Sequence, residues 1–349
     1  MVFNGFTIHF KQGGGEKALY NLLKRLNYSK FKIFCFKRTK NISIKDTEII
    51  SLKDEGFIKF FSEFVKCKNE TIISSLWSSN SFLLTFKLFG LTNISWIREG
   101  NEVASAIKDS NLLKGLLWKT SIRYLYRHAD TIIVMNDCMK TSLLDLNQNL
   151  KNKIKVIPNY IDINQIINLS RQKINSDLSS LEDIEFILTI GRLCNQKNFI
   201  NLIEAFSIAK KEYKIKAKLV IIGKGELKQK ILSKINNLNL NDEIYLYDFI
   251  ENPYNILKLS KLYIMASFYE GYPNALVEAI ILTKNVISSY CNCGPKQFFM
   301  GENKERLFNP YDIQDMSLKI KTYLDSKKMN IDPVIEKIEK DNKKALQLC

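Results

Sequence analysis

The chain has 349 residues, 46% of them hydrophobic and 11% aromatic, with 52 Lys+Arg against 36 Asp+Glu. That much apolar and aromatic material excludes a disordered chain, and 14 Gly with 6 Pro exclude a collagen-like or linker composition. The formal charge of +16 is concentrated in residues 1–160 (25 Lys+Arg, 13 Asp+Glu), which points either to a polyanionic partner or to a Lys-rich solvated surface.

Short β-branched runs alternate with longer stretches of helical period. In chain order, strands are predicted at 2–8, 32–36, 48–52, 71–76, 93–97, 131–135 and 153–157, with helices such as 16–26 and 112–127 between them. The polar stretch 161–183 reads as a hinge with one short helix. The pattern restarts near residue 184, with strands at 185–190, 218–222, 244–247, 262–265 and 286–289. Helices are predicted at 199–210, 227–236 and 275–282, and a charged helix at 331–348. Such alternation predicts parallel sheets covered on both faces. Two such domains side by side would place a ligand cleft between the carboxyl edges of their sheets.

No apolar run approaches the roughly 20 residues that cross a bilayer, and the opening residues lack the basic start and cleavage site of a signal peptide. Seven cysteines without a C-x-x-C, and only His9 and His128 besides, argue against a zinc site and for a reducing compartment.

Four stretches carry candidate chemistry. Gln12-Gly13-Gly14-Gly15-Glu16-Lys17 follows the first predicted strand and opens a helix. Its backbone can approach a ligand closely and offer helix-terminal N–H groups to an anion, although a tight strand-to-helix turn explains it equally well. Ile190-Gly191-Arg192-Leu193 closes a strand and Lys197-Asn198 opens the next helix. A forked guanidinium, a mobile ammonium and helix-terminal amides at one strand end suit a diphosphate; the alternative is two solvated loop cations. Gly223 and Gly225 lack the third glycine of a dinucleotide fingerprint and the Gly-Lys-Ser/Thr of a P-loop, and read as a structural turn. The most specific stretch is Glu270-Gly271-Tyr272-Pro273-Asn274-Ala275-Leu276-Val277-Glu278. Pro273 belongs at the helix start, with Glu270 in the loop before it and Glu278 on the early helix. Two carboxylates so placed can accept hydrogen bonds from sugar hydroxyls; Glu278 alone reads as a solvated helix face.

Taken in this order, the residues resemble family 4 retaining glycosyltransferases, enzymes of the two-Rossmann GT-B fold, over nearly the whole chain and most strongly from Ile190 to Asp312. Gly191-Arg192-Leu193 with Lys197-Asn198 looks like the family's phosphate-binding loop, and Glu270 and Glu278 match its E-x7-E signature. Gly13-Gly14 with Glu16-Lys17 looks like its N-terminal GG-x-E-R/K turn, and Val156 to Asp162 is similar to its V-I-P-N-P-I-D segment. Cys291 to Lys296 resembles the D-C-P-x-G-P-R of a subgroup that builds bacterial surface polysaccharides.

The resemblance implies an α/β chain of two doubly wound Rossmann-like domains facing a central cleft (GT-B). Residues 1–162 would bind the acceptor, 163–328 the nucleotide-sugar, and 329–349 would form a C-terminal helix returning to the first domain. It implies retaining transfer of a hexose or N-acetylhexosamine from a nucleotide-sugar, UDP-activated before GDP-mannose, to a glycan or lipid-linked glycan acceptor. The donor is then a substrate, and no cofactor or metal is expected. Arg192 and Lys197 would hold the diphosphate and stabilise its growing charge. Glu270 would touch and orient the donor sugar, Glu278 would bind the ribose, and Gly13, Gly14, Gly191, Asn274, Ala275 and Leu276 would complete the donor-binding set.

The chain departs from the family pattern in places. Members often carry a His where this one reads Trp96-Ile97-Arg98-Glu99-Gly100-Asn101, so that role is empty or passes to Glu99. Thr283-Lys284-Asn285 replaces a usual Gly-x-Pro, Asp248 replaces a common Gly, and the first strand starts almost at Met1, leaving an upstream native start open. Residues 112–127 interleave Lys114, Lys119, Arg123 and Arg127 with Trp118, Tyr124 and Tyr126. They read as a helix for an anionic membrane surface or as a packing helix with a basic edge. The expected location is cytoplasmic, at the inner face of the membrane. The alternatives are a catalytically silent scaffold of the same fold and a basic nucleic-acid-binding protein. No RNA-recognition, zinc-finger or helix-turn-helix signature supports the latter, and no nucleic acid is expected as partner.

Overall fold

The computed structural model describes residues 3–10, 14–26, 31–38, 47–291, 293–326 and 328–346. The chain divides into two compact units, residues 1–159 with 341–349, and residues 160–340.

The first unit is built on β1 (Phe3–Phe10), β2 (Phe31–Arg38), β3 (Thr47–Ser51), β4 (Thr71–Ser75), β5 (Ile94–Arg98), β6 (Thr131–Val134) and β7 (Ile154–Val156). They form one sheet in the order β3-β2-β1-β4-β5-β6-β7, and every neighbouring pair is parallel. Parallel sheets of this kind are covered on both faces, and β4 and β6 are buried at every position. One face is filled by an aromatic cluster in which Phe6 meets Phe86 at 5.5 Å and Phe34 meets Phe64 at 5.0 Å between ring centroids. On the other, helix Gly14–Leu26 crosses β1 at Gly5, where a methyl group would come within 2.7 Å of Leu23 Cδ1.

The second unit repeats the scheme with β8 (Phe186–Ile190), β9 (Lys218–Ile222), β10 (Ile244–Tyr247), β11 (Leu262–Met265), β12 (Val286–Ser289) and β13 (Leu307–Phe308). Their order is β10-β9-β8-β11-β12-β13, again all parallel. Leu202 and Phe206 of helix Phe199–Glu212 and Ile320 of helix Ile313–Leu324 join Leu219 and Ile221 of β9 in one core. In each sheet the strand order reverses beside the first strand, at β1–β4 and at β8–β11. Loops leaving the carboxyl ends at such a reversal form the usual ligand crevice of open α/β sheets.

The structure departs from the sequence expectation in two places, and after residue 160 it adds a 3₁₀ segment to the one short helix expected there. β13 is two residues long, too short to write a periodic signature. The predicted helix 112–127 is interrupted: helix Leu112–Thr120 gives way to a π-helical turn Ser121–Leu125 and a 3₁₀ turn Tyr126–His128. The break carries Tyr126 into the interior, where it is fully buried. The stretch after residue 160 contains helix Ile163–Leu169 and a 3₁₀ segment Ser176–Asp183. Where the family pattern has proline, the Asn285 side chain ties the turn instead. It donates to Lys261 O and Tyr323 O, both at 2.8 Å, and accepts from Arg306 Nη1 at 2.9 Å. No described helix is long and apolar enough to cross a membrane.

Candidate active site

β8 delivers Gly191 and Arg192 at its carboxyl end, and the loop is laced to the turn after β9. Gly191 N donates to Ile222 O at 3.0 Å, Leu193 N to Lys224 O at 2.9 Å, and Leu227 N to Leu193 O at 3.0 Å. Gly223 and Gly225 make this possible. A methyl group at Gly223 would lie 1.9 Å from Gly191 O, and one at Gly225 would lie 2.3 Å from Leu193 O. The pair is therefore the structural turn expected, and what it supports is the Arg192 loop. The chain then makes a 3₁₀ turn, Asn195–Lys197, and passes through Asn198 in the left-handed region (φ 55°) into helix Phe199–Glu212. Asn198 Nδ2 fixes that turn by donating to Pro310 O at 2.8 Å.

β11, the neighbour of β8, delivers the second loop. Phe268 N donates to Gln196 O and Gln196 Nε2 to Tyr269 O, both at 2.8 Å, so the two loops are stitched together. At the join, Lys197 Nζ meets Glu270 Oε1 at 2.5 Å, and Ser267 Oγ donates to the same oxygen at 2.6 Å. Glu270 is only 5% exposed, a depth at which a carboxylate needs such donors. The loop after β12 closes the other side. Gly294, at φ 77°, holds its backbone where a methyl group would stand 3.0 Å from Glu270 Cβ. Ser289 Oγ and Cys291 Sγ both donate to Ser267 O, at 2.6 and 3.0 Å. Burial pushes the Cys291 thiol up to about 12.

Pro273 precedes helix Asn274–Leu282, so Asn274, Ala275 and Leu276 form its first turn and Glu278 stands on its second. Tyr254 OH donates to Glu278 Oε1 at 3.3 Å. Tyr263, fully buried beneath the site, is held protonated first by burial and then by the charges of Glu278 and Glu270, which places both carboxylates within electrostatic reach of one phenol. Arg192 is exposed. Burial in the loop pulls its guanidinium pKa down, but Cys194 and then Glu226 and Tyr269 outweigh this and leave it raised.

The structure thus brings Lys197 directly onto Glu270, sets Glu278 around the same tyrosine, and leaves Arg192 on the Lys197 loop facing solvent. In the first unit Gly14 opens helix Gly14–Leu26, and Gly13 lies outside the described residues. Sequence reasoning passed over Gln196, Tyr254, Tyr263 and Ser267. Only Gln196 carried a signal, its place inside the Arg192-to-Lys197 loop.

The first unit holds a buried charged network at the carboxyl end of β5. Glu99, 1% exposed, accepts from Asn80 Nδ2 at 3.0 Å and from Tyr126 OH. Burial pushes its carboxyl up to about 7 against those hydrogen bonds and the Arg98 charge. Burial likewise brings the Arg98 guanidinium down to about 10, and it donates to Ser75 Oγ at 3.2 Å, Met135 Sδ at 2.9 Å and Asn159 Oδ1 at 2.7 Å. In this geometry Glu99 is a buried acceptor shared by Asn80 and Tyr126 at the carboxyl end of β5. Among the described residues, no group of three His, Cys, Asp or Glu side chains is placed to hold a metal ion.

Two doubly wound parallel sheets of this order are the architecture of GT-B enzymes. The crystal structure of Anabaena HepE in complex with UDP and glucose is similar with a TM-score of 0.74 over 99% of this chain and 94% of that one, at 15% identity. Residues 170–341 match the family described as Glycosyl transferases group 1. One relative is the N-acetylgalactosamine-N,N'-diacetylbacillosaminyl-diphospho-undecaprenol 4-alpha-N-acetylgalactosaminyltransferase of Campylobacter jejuni, 30% identical over 269 residues, 75% of this chain and 70% of that protein. An uncharacterized glycosyltransferase of Methanocaldococcus jannaschii is 34% identical over 225 residues, 63% of this chain, and the match spans 54% of its own length. The chain belongs to the group 1 glycosyltransferases. It is a glycosyltransferase, and its relatives include glycosyltransferases of capsular polysaccharide and amylovoran biosynthesis.

Proposed function

We propose that the protein transfers a hexose or N-acetylhexosamine from a nucleotide-sugar, a UDP-sugar in the first instance, to a glycan or lipid-linked glycan acceptor, with retention at the anomeric carbon. The product would enter a bacterial polysaccharide or glycoconjugate. The observation that carries this reading is the Lys197–Glu270 pair at the β8–β11 reversal, with Arg192 on the same loop.

Without donor, ammonium and carboxylate satisfy one another. An arriving diphosphate draws the Lys197 ammonium to its oxygens, and Arg192 closes on it from the solvent side. Glu270, released from Lys197 but still held by Ser267, accepts hydrogen bonds from the donor sugar and orients it. As the anomeric C–O bond breaks, two cations meet the charge that collects on the departing nucleotide. Glu278 takes the ribose hydroxyls, and Tyr254 fixes its side chain. Gly191, Asn274, Ala275 and Leu276 complete the donor-binding set of the second unit. The acceptor reading is supported by the Campylobacter relative, whose name specifies a diphospho-undecaprenol-linked substrate.

The same proposal includes attachment to the inner face of the cytoplasmic membrane. Leu112 is 91% exposed, and Leu113, Leu116 and Leu117 also face solvent, flanked by exposed Lys114, Lys119 and Arg123. Leucines at this density enter the headgroup boundary while the cations meet anionic lipid.

Thermal-shift titration with UDP, GDP and ADP tests the donor site. A nucleotide at about 100 times its Kd stabilises by about 2.7 kcal/mol. UDP should do so in the parent and not in Arg192→Ala. A variant that responds like the parent would overturn the phosphate assignment. Co-sedimentation with phosphatidylglycerol vesicles at low salt tests attachment, and should be lost in Leu113→Gln/Leu116→Gln. Equal sedimentation of both proteins refutes it.

A further inference from the structure

The second unit holds a concavity of about 900 Å³ at the β12–β13 edge of its sheet. Tyr290, Lys296, Phe299, Lys304, Pro310 and Asp315 are among the residues that line it. Its chemistry is specific. Phe299 forms a buried aromatic wall, while Tyr290 is 54% exposed and has the Lys296 ammonium 5.2 Å from its ring centroid. The exposed Tyr290 ring takes the C–H face of a pyranose, and the two ammonium groups, opposed by the single Asp315 carboxylate, favour a negative charge.

The walls of this cavity also reach the Lys197–Glu270 pair from both sides. Pro310 O accepts from Asn198 Nδ2, the residue after Lys197. The loop that carries Tyr290, Lys296 and Gln297 also carries Gly294, whose backbone lies against Glu270. Next to Pro310, the Tyr311 ring stacks on Phe268 of the Glu270 loop, 4.9 Å between centroids at 23°. A ligand that moves the cavity wall therefore pushes on both partners of the ion pair.

We propose that this cavity is a second saccharide site, for a sugar bearing a phosphate or carboxylate, and that its occupation alters donor affinity at the Lys197–Glu270 pair. The binding claim stands on the cavity alone; the coupling claim rests on the donor reading above. An anionic sugar can arrive as a free sugar phosphate or as a uronate within a glycan.

Isothermal titration of the full chain with glucose 6-phosphate, with a hyaluronan tetrasaccharide and with neutral glucose, each with and without saturating UDP, tests both. At least one anionic probe should bind about tenfold or more tighter than glucose, and should persist in saturating UDP. Its affinity should fall about tenfold or more in Tyr290→Ala and in Lys296→Gln/Lys304→Gln, with unfolding midpoints at the parent value. Tighter binding of glucose 6-phosphate assigns the free metabolite, and tighter binding of the tetrasaccharide assigns the glycan. A change of about threefold or more in UDP affinity when the probe is bound supports the coupling, and an unchanged affinity overturns it. Lys197→Ala separates the two readings, since it should lose UDP and keep the anionic probe. Binding that ignores both cavity variants, displacement of the probe by UDP, or binding of neither probe overturns the second site.

Discussion

Lys197→Met isolates the charge of the central ion pair. The methionine keeps most of the length of a side chain whose methylenes lie close enough to Gly191 to meet an added methyl group there at 3.3–3.4 Å. What is lost is a 2.5 Å pair to a carboxylate whose side chain is 7% exposed. Removing one partner of a buried pair costs about 3–5 kcal/mol. Two features reduce this: the Lys197 side chain retains 23% exposure, and Ser267 continues to donate to Glu270. The expected loss is then about 2 kcal/mol. At about 2–4 °C per kcal/mol for a unit of this size, the melting midpoint falls by about 4–8 °C. Adding Glu270→Gln removes the stranded charge and should recover at least half of that. Sugar transfer behaves differently: kcat/KM should fall about 100-fold or more in Lys197→Met, and Glu270→Gln should not restore it. Calorimetry and a transfer assay on the parent and the two variants measure both. A single variant as stable as the parent, or a double variant less stable than the single, refutes the idea that the donor must break a buried pair.

Gly225→Ala drives a methyl group onto Leu193 O and displaces the loop that carries Arg192. The UDP-dependent thermal shift should disappear although Arg192 and Lys197 are intact, and a shift of parental size would show that the loop is not held there. Burial raises the Glu99 carboxyl to about 7, well above the ordinary glutamate value. Between those two values the native chain holds a proton that the unfolded chain has lost. Stability therefore falls as pH rises through this window, by up to about 1.4 kcal/mol per unit. Glu99→Gln keeps an acceptor for Asn80 and Tyr126 and should flatten that dependence; denaturant titrations from pH 5 to 8 with equal slopes for parent and variant would show that Glu99 does not titrate there.

Strands buried on both faces write themselves as nearly continuous apolar runs, which is why β9 and β11 fall on the predicted 218–222 and 262–265. β13 has too few residues to write anything. The interruption after Thr120 has no local signal, because the helical period continues through it. What it serves is the reach of Tyr126 to Glu99, 27 positions away in sequence. The site divides in the same way. Glu270 and Glu278 stand at a spacing that can be read from the chain, and Gly191, Arg192 and Lys197 are ordered around a strand end. Their supports cannot be read. Gln196 meets Tyr269 across 73 positions and Tyr254 meets Glu278 across 24, and both are ordinary polar residues until the sheet order brings them together. Gly223 and Gly225 were legible as a turn, but the carbonyls they approach were not.

The order of strands has a consequence during biosynthesis. In both sheets the strand that leaves the ribosome first ends up in the middle, β1 between β2 and β4 and β8 between β9 and β11. After Ile190 is made, another 72 residues must be polymerised before Leu262 can flank β8, a wait of about 4–14 s at ordinary elongation speeds. Through that interval a strand made for the interior keeps one edge open to any passing partner. Substitutions in β8 or β11 that slow their pairing should therefore show first as lost yield and dependence on chaperones, before any change in the melting of the finished enzyme.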